Sequence, residues 1–277
     1  MAAAASTTLR LFSEADSAAR PGTSAAEAAD RLYHREAFRK RPRNSPTAPF
    51  SREWFEEISN LRYSRQGNWL PRVLEFVRHR GDTVLGLGEG LGTDWLQYAM
   101  NGAEVVTLSP SHEQLDLIRT HFDLRGQLAR YIHGTPQCMP LPSDSVDVVC
   151  LQGLLDEVDD AAPVVRELYR VLRPGGKVIV VATARYNASY WYNASYPWLR
   201  WFGKAKAHLP GTTGRKLRTT FSEFAEHRVN KRHLRRSEMP HLWRGLPLSI
   251  AERLVGNRLV MKAFKPLSAA LAGRQAA

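Results

Sequence analysis

The chain has 277 residues, 43% of them hydrophobic and 24% charged, with a formal net charge of +12. This balance suits a soluble globular domain with additions, and no apolar run approaches the roughly 18 residues that a membrane-spanning helix needs. Its two cysteines, Cys138 and Cys150, make neither a disulfide framework nor a C-x-x-C pair, and the nine histidines show no H-E-x-x-H. No metal site is therefore expected, and the cysteine usage suits a reducing, cytoplasmic compartment.

Residues 1–48 read as a poorly ordered N-terminal arm rich in Ala, Ser, Thr and Arg and broken by Pro21-Gly22. A transit peptide is an alternative, because the first thirteen residues lack acids, but Glu14, Asp16, Glu27 and Asp30 argue against it. A helix over Ser24–Arg39 could form within the arm, and Arg39-Lys40-Arg41-Pro42-Arg43 ends it in a charged run. The main domain is expected over 49–277. Ser51 caps a helix that carries Trp54, Phe55 and Ile58, and Pro71–Val77 has apolar residues at helical spacing. Between them, Tyr63 and Trp69 stand among basic residues in a loop. They can clamp a substrate, or they can pin the loop to the domain.

The apolar run Thr83–Leu87 ends in Gly88-Glu89-Gly90-Leu91-Gly92, and a helix-like segment follows from Thr93. Strand, glycine turn and helix open a nucleotide-binding βαβ unit. The spacing does not satisfy G-x-G-x-x-G from either Gly86 or Gly88, and no Gly-Lys-Ser/Thr follows, so dinucleotide and phosphate-loop readings are weak. The rhythm then repeats. Ala103–Leu108, Leu128–His133, Val146–Leu151 and Lys177–Ala182 read as strands, with a helix capped by Ser109 and Pro110 and another over Val164–Leu172 that stops at Arg173-Pro174-Gly175-Gly176. Alternating strands and helices imply a parallel sheet that binds ligands at the carboxyl ends of its strands. Phe221–Phe224 reads as a late helix, with strands at His227–Leu234 and Arg258–Ala263.

On the segments Val84–Gly92, Gly102–Pro110, Met139–Val149 and Glu167–Lys177, the chain resembles the class I S-adenosylmethionine-dependent methyltransferases of the type 11 kind. The resemblance implies a Rossmann-like α/β fold. Its seven-stranded, mostly parallel sheet would have helices on both faces and a last strand that runs antiparallel. It also implies S-adenosylmethionine as cofactor, held by Gly88, Glu89, Gly90, Gly92, Thr107, Leu108, Thr135, Pro136 and Gln152. Members of the family place acids at the ends of the first and second strands and after the third, where this chain has Gly86, Thr107 and Thr135. Glu89 could replace part of that charge or could be a solvated loop residue. Asp94 reads as a helix-terminal acid, and Asp147 as a brace for the glycine-loop region. The stretch after the fourth strand faces the substrate side in this fold, so Asp156 and Glu157 are the candidate bases, or else the exposed start of the next helix.

Residues 185–220 correspond to a lid that carries Tyr186, Tyr190 and Trp191 as candidate acceptor contacts. Over 185–236 there are twelve Lys/Arg against two acids. Aromatic and basic residues together suit a small lipophilic or anionic acceptor, an anionic membrane surface or nucleic acid. The resulting expectation is a methyltransferase acting on a small acceptor. The alternatives are an inactive methyltransferase-like scaffold and a basic nucleic-acid or membrane-surface binder.

Overall fold

The computed structural model describes residues 25–42, 45–64, 67–156, 158–195, 211–234 and 245–267. They fall into two compact units: residues up to 81 together with 89–135, and residues 82–88 together with 136 onward.

In the first unit, helix α1 (Ala25–Ala37) packs on α2 (Arg52–Arg62). Ala29, Tyr33 and Ala37, one helical turn apart, form a fully buried stripe against Trp54, Phe55, Ile58, Leu91 and Leu117. Helix α1 is thus packed into the folded core, which corrects the reading of all of 1–48 as an arm; residues 1–24 lie outside the described residues. Each aromatic buried in this way contributes on the order of 1.5–3 kcal/mol, enough to hold a short helix that is marginal by itself. The Ser51 hydroxyl caps α2, accepting from the Trp54 N–H at 3.2 Å. The expected Pro71–Val77 helix is shorter, α3 (Leu70–Leu74), because Glu75 takes a left-handed conformation at φ 58° and a 3₁₀ turn follows at Phe76–His79.

The first unit continues with α4 (Thr93–Met100), β2 (Glu104–Ser109), α5 (His112–Leu124) and β3 (Arg130–His133). β2 and β3 pair in parallel. The cap of α5 is Ser111, whose hydroxyl accepts from the Gln114 N–H at 3.2 Å. Ser109 instead closes β2, so the cap stands two residues later than the sequence suggested, and Pro110 precedes the helix.

The second unit holds β1 (Thr83–Gly88), β4 (Val146–Gln152), α6 (Ala162–Val171), β5 (Leu172–Thr183), α7 (Ala188–Ser195), α8 (Gly214–Thr220), β6 (Ala225–Arg232), α9 (Leu248–Val255) and β7 (Arg258–Phe264). β1, β4 and β5 run parallel, while β7 is antiparallel to both β5 and β6. Val84, Leu85 and Leu87 of β1 and Val148–Leu151 of β4 are buried, as expected for strands covered on both faces. Arg173–Gly176 lies inside β5, at a register shift between Val146↔Leu172 and Val148↔Lys177. Phe221 and Phe224 are buried anchors in the turn after α8 and do not form the expected helix. The strand order is β3-β2-β1-β4-β5-β7-β6, one mostly parallel seven-stranded sheet with helices on both faces. Among the described residues, no helix is long and apolar enough to cross a membrane.

Candidate active site

Two of the loop glycines are required by the protein's own atoms. Gly88 ends β1 at φ +124°, and a Cβ there would overlap the carbonyl oxygen of Gln152, its register partner in β4. Gly90 sits at φ +117°, and a Cβ there would overlap a carboxylate oxygen of Glu36.

Glu36, near the end of α1, is 5% exposed, and its Oε1 accepts from the Leu91 N–H at 2.9 Å. Its other oxygen lies 3.1 Å from the buried Arg62 guanidinium. Arg62 also donates to both oxygens of Asp94 at 2.8 and 2.5 Å, and to the Glu36 backbone carbonyl at 2.9 Å. Burial opposes the guanidinium's charge, but Asp94 and Glu36 overrule it and raise its pKa. The Tyr63 hydroxyl donates to Asp94 at 2.6 Å, and burial together with that acid pushes its pKa far up. Tyr63 therefore pins its loop to the start of α4 through its hydroxyl. Two loop carbonyls are also bonded: Gln114 donates to the Gly90 carbonyl at 3.2 Å, and His121 Nδ1 bonds the Leu91 carbonyl at 2.9 Å.

Thr107 and Leu108 are buried inside β2, and the Thr107 hydroxyl donates to the Arg130 carbonyl at 3.5 Å. The strand's carboxyl end is Ser109, whose hydroxyl donates to Gln114 Oε1 at 2.6 Å. Assigning Thr107 to the end of the second strand was two residues early. Thr135 is exposed and Pro136 buried. Beside the loop lies a cavity of about 320 Å³ walled by Arg31, Arg35, Glu89, Gly90, Glu113 and Gln114 among others. Glu89 is ion-paired with Arg35, and the Ser111 hydroxyl holds the Glu113 carboxyl below its usual range.

The second unit has its own cavity, about 570 Å³, between the turn after β4, the start of α6, and α8. Asp156 forms part of its wall. One carboxylate oxygen, Oδ2, accepts from the Thr183 N–H at 2.8 Å, while Oδ1 is buried with no hydrogen-bond partner among the described residues. Glu157 lies outside the described residues. Asp147 braces the start of β1, accepting from the Thr83 N–H at 2.9 Å and binding Arg173 at 2.6 and 2.7 Å, at the opposite end of the strand from the glycine loop.

Residues 84–180 match the family model described as a methyltransferase domain. The demethylmenaquinone methyltransferase of Anoxybacillus flavithermus is 30% identical over 172 residues, which cover 54% of this chain and 70% of that protein. The chain belongs to the class I S-adenosylmethionine-dependent methyltransferases. The demethylmenaquinone methyltransferase of Listeria monocytogenes is 36% identical over 159 residues, 55% of this chain but only 62% of that protein. A solved methyltransferase from Aquifex aeolicus shares the fold at 14% identity, with a TM-score of 0.54 over 78% of this chain and 98% of that one. A putative sarcosine dimethylglycine methyltransferase from Galdieria sulphuraria does so at 15% and 0.53, over 87% and 99%.

The family's cofactor, S-adenosylmethionine, carries a carboxylate, an ammonium, a sulfonium and a ribose diol. The smaller cavity of this methyltransferase fits that chemistry, with two guanidinium groups, two carboxylates and a loop residue without a side chain. Of the residues expected to hold the cofactor, Glu89 and Gly90 line this cavity. Arg31, Arg35, Glu113 and Gln114 also line it, and Glu36 bonds the loop beside it; the sequence did not single these residues out. A signal for Glu36 existed: it falls on the same helical face as Ala29 and Tyr33, where an acid interrupts the apolar period.

The lid aromatics are not brought to either cavity. Tyr186 and Tyr190 are 43% and 36% exposed, and their rings meet edge to face at 5.0 Å. Trp191 packs against Tyr190 at 5.5 Å, and Trp69 is the N-cap residue of α3. Residues 196–210 of the expected lid lie outside the described residues.

Proposed function

We propose that this methyltransferase moves the methyl group of S-adenosylmethionine onto a small lipophilic ring acceptor that bears an acidic hydroxyl. The observation that carries the reading is Asp156 in the wall of the 570 Å³ cavity, with Oδ2 held by the Thr183 N–H and a buried Oδ1 that has no hydrogen-bond partner among the described residues. A carboxylate with one oxygen fixed by a backbone N–H and the other free is oriented to take a proton from a bound hydroxyl. Leu155, Val158, Val165 and Leu217 offer the same cavity apolar walls for a ring. The relatives are named for demethylmenaquinone, a lipophilic quinone, which supports an acceptor of this class.

Arg31 and Arg35 would hold the cofactor's carboxylate, Glu89 its ammonium, and Glu113 with Gln114 its ribose hydroxyls. These groups take over from the acids that other members carry where Gly86 and Thr135 stand. When bound, the cofactor supplies a methyl group already activated on sulfonium, so positioning accounts for most of the rate. Asp156→Asn keeps an acceptor for the Thr183 N–H but loses the base. With radiolabelled cofactor and substituted naphthohydroquinones, its kcat should fall by roughly a hundredfold or more, with S-adenosylhomocysteine affinity unchanged. Undiminished turnover would rule Asp156 out.

A second reading, a methyltransferase fold that serves as a scaffold without turnover, is favoured by the Glu36 carboxylate on the Leu91 N–H, which takes up one of the loop's donors from within the protein. Calorimetric titration separates the two. Micromolar dissociation constants for S-adenosylmethionine support the enzyme, and no heat at millimolar cofactor supports the scaffold.

A further inference from the structure

Scattered exposed apolar side chains are ordinary, but a cluster of them marks a contact surface. Among the described residues, six of the ten exposed large apolar side chains come from the second unit's α7 and α9 and the residues beside them: Tyr186, Tyr190, Leu246, Leu248, Ile250 and Leu254. Ile250 and Leu254 stand one turn apart on α9, 49% and 54% exposed, while Ala251 and Val255 bury the adjacent face. Lys231 joins the two groups, because its ammonium donates to the Leu254 carbonyl at 2.6 Å and to the Tyr186 carbonyl at 2.8 Å. The Arg185 guanidinium stands over the Tyr186 ring at 6.0 Å, and Arg253 is exposed in the last turn of α9. The helix's single acid, Glu252, accepts from the His233 N–H at 2.8 Å and faces Arg232 at 3.4 Å, so its charge is directed toward β6.

We propose that this face rests on an anionic lipid bilayer, with Ile250 and Leu254 in the acyl boundary, the two tyrosines at headgroup level and Arg185 and Arg253 on lipid phosphates. Apolar residues, interfacial aromatics and flanking cations on a short helix are the features of a helix lying in the membrane surface. A second copy of the chain is the less suitable occupant, since the cations of this face would meet their own image on a protein of net charge +12. The proposal does not depend on the identity of the acceptor, although a lipophilic acceptor would be encountered there.

The test is vesicle flotation with the full chain, comparing phosphatidylcholine alone with a mixture of phosphatidylcholine and phosphatidylglycerol. Binding should favour the anionic vesicles and weaken at high salt. Ile250→Ser/Leu254→Ser should reduce it about tenfold, and Arg253→Gln about fivefold. Both variants should keep wild-type thermal stability, because the altered side chains are exposed. Wild-type binding by the double variant would overturn the proposal. So would a dimer in sedimentation velocity that the double variant dissolves, which would assign the face to a second copy. No methyl transfer is read in this experiment, so its failure leaves the Asp156 reading untouched, and the reverse holds.

Discussion

Arg62 shows how a single residue ties distant pieces of the first unit together. Its guanidinium joins Asp94 of α4 to Glu36 of α1, with all three side chains essentially buried. A buried pair gains little over an apolar substitute, but removing one partner leaves a charge without its counter-ion. Arg62→Met should therefore destabilise the protein by about 3–5 kcal/mol in urea denaturation. A loss under about 1 kcal/mol would mean the carboxylates find water instead. His121 makes a pH prediction. It is fully buried, stacked on Phe55 at 4.3 Å and bonded to the Leu91 carbonyl, and burial lowers its pKa from 6.5 to about 4. Between those values the unfolded chain binds a proton that the folded chain refuses. Its contribution is complete above about pH 6.5 and drains away as the pH falls toward 4, by roughly 3 kcal/mol. His121→Phe keeps the stacking and should flatten the stability profile across that window. An unchanged slope would mean that other groups control it.

At the scale of elements, β1 and β4 explain the glycine that ends the first strand. Gly88 pairs with Gln152, and a Cβ would overlap that residue's carbonyl, in a backbone conformation that L side chains rarely adopt. Backbone cannot give way as a flexible side chain can, so Gly88→Ala should cost roughly 4 kcal/mol or abolish soluble folding. By contrast, the conflict at Gly90 is with the tip of the Glu36 side chain. Gly90→Ala in a Glu36→Ala background, measured by thermal denaturation, should therefore cost less than in the parent chain. Equal costs would place the strain in the backbone angle alone. Helix α1 illustrates the same interplay: its sequence supplies the Ala29–Tyr33–Ala37 stripe, and the stripe is stable because Trp54 and Phe55 cover it.

Along the whole chain, charge is distributed unevenly. Ten of the net twelve positive charges belong to residues 185–236, a bias that suits anionic partners. The glycine turn and the alternation of strands and helices were legible in the chain from local periodicity, and the seven-stranded, mostly parallel sheet through the family that its short motifs resemble, whereas the strand order β3-β2-β1-β4-β5-β7-β6 came only with the structure. A strand repeats every two residues and a helix every 3.6, whatever surrounds them. The site was legible only in part. Glu89, Gly90 and Asp156 were marked by their position in the β/α rhythm. Tertiary structure alone decided that Glu36 reaches the loop 55 residues away, that Tyr63 is bound to Asp94, that Ser109 rather than Thr107 ends the second strand, and that Tyr186 and Tyr190 face outward. The reason is physical. A buried polar group must find a partner, and which partner it finds depends on which distant segments the packed core brings together, a fact that no local repeat encodes.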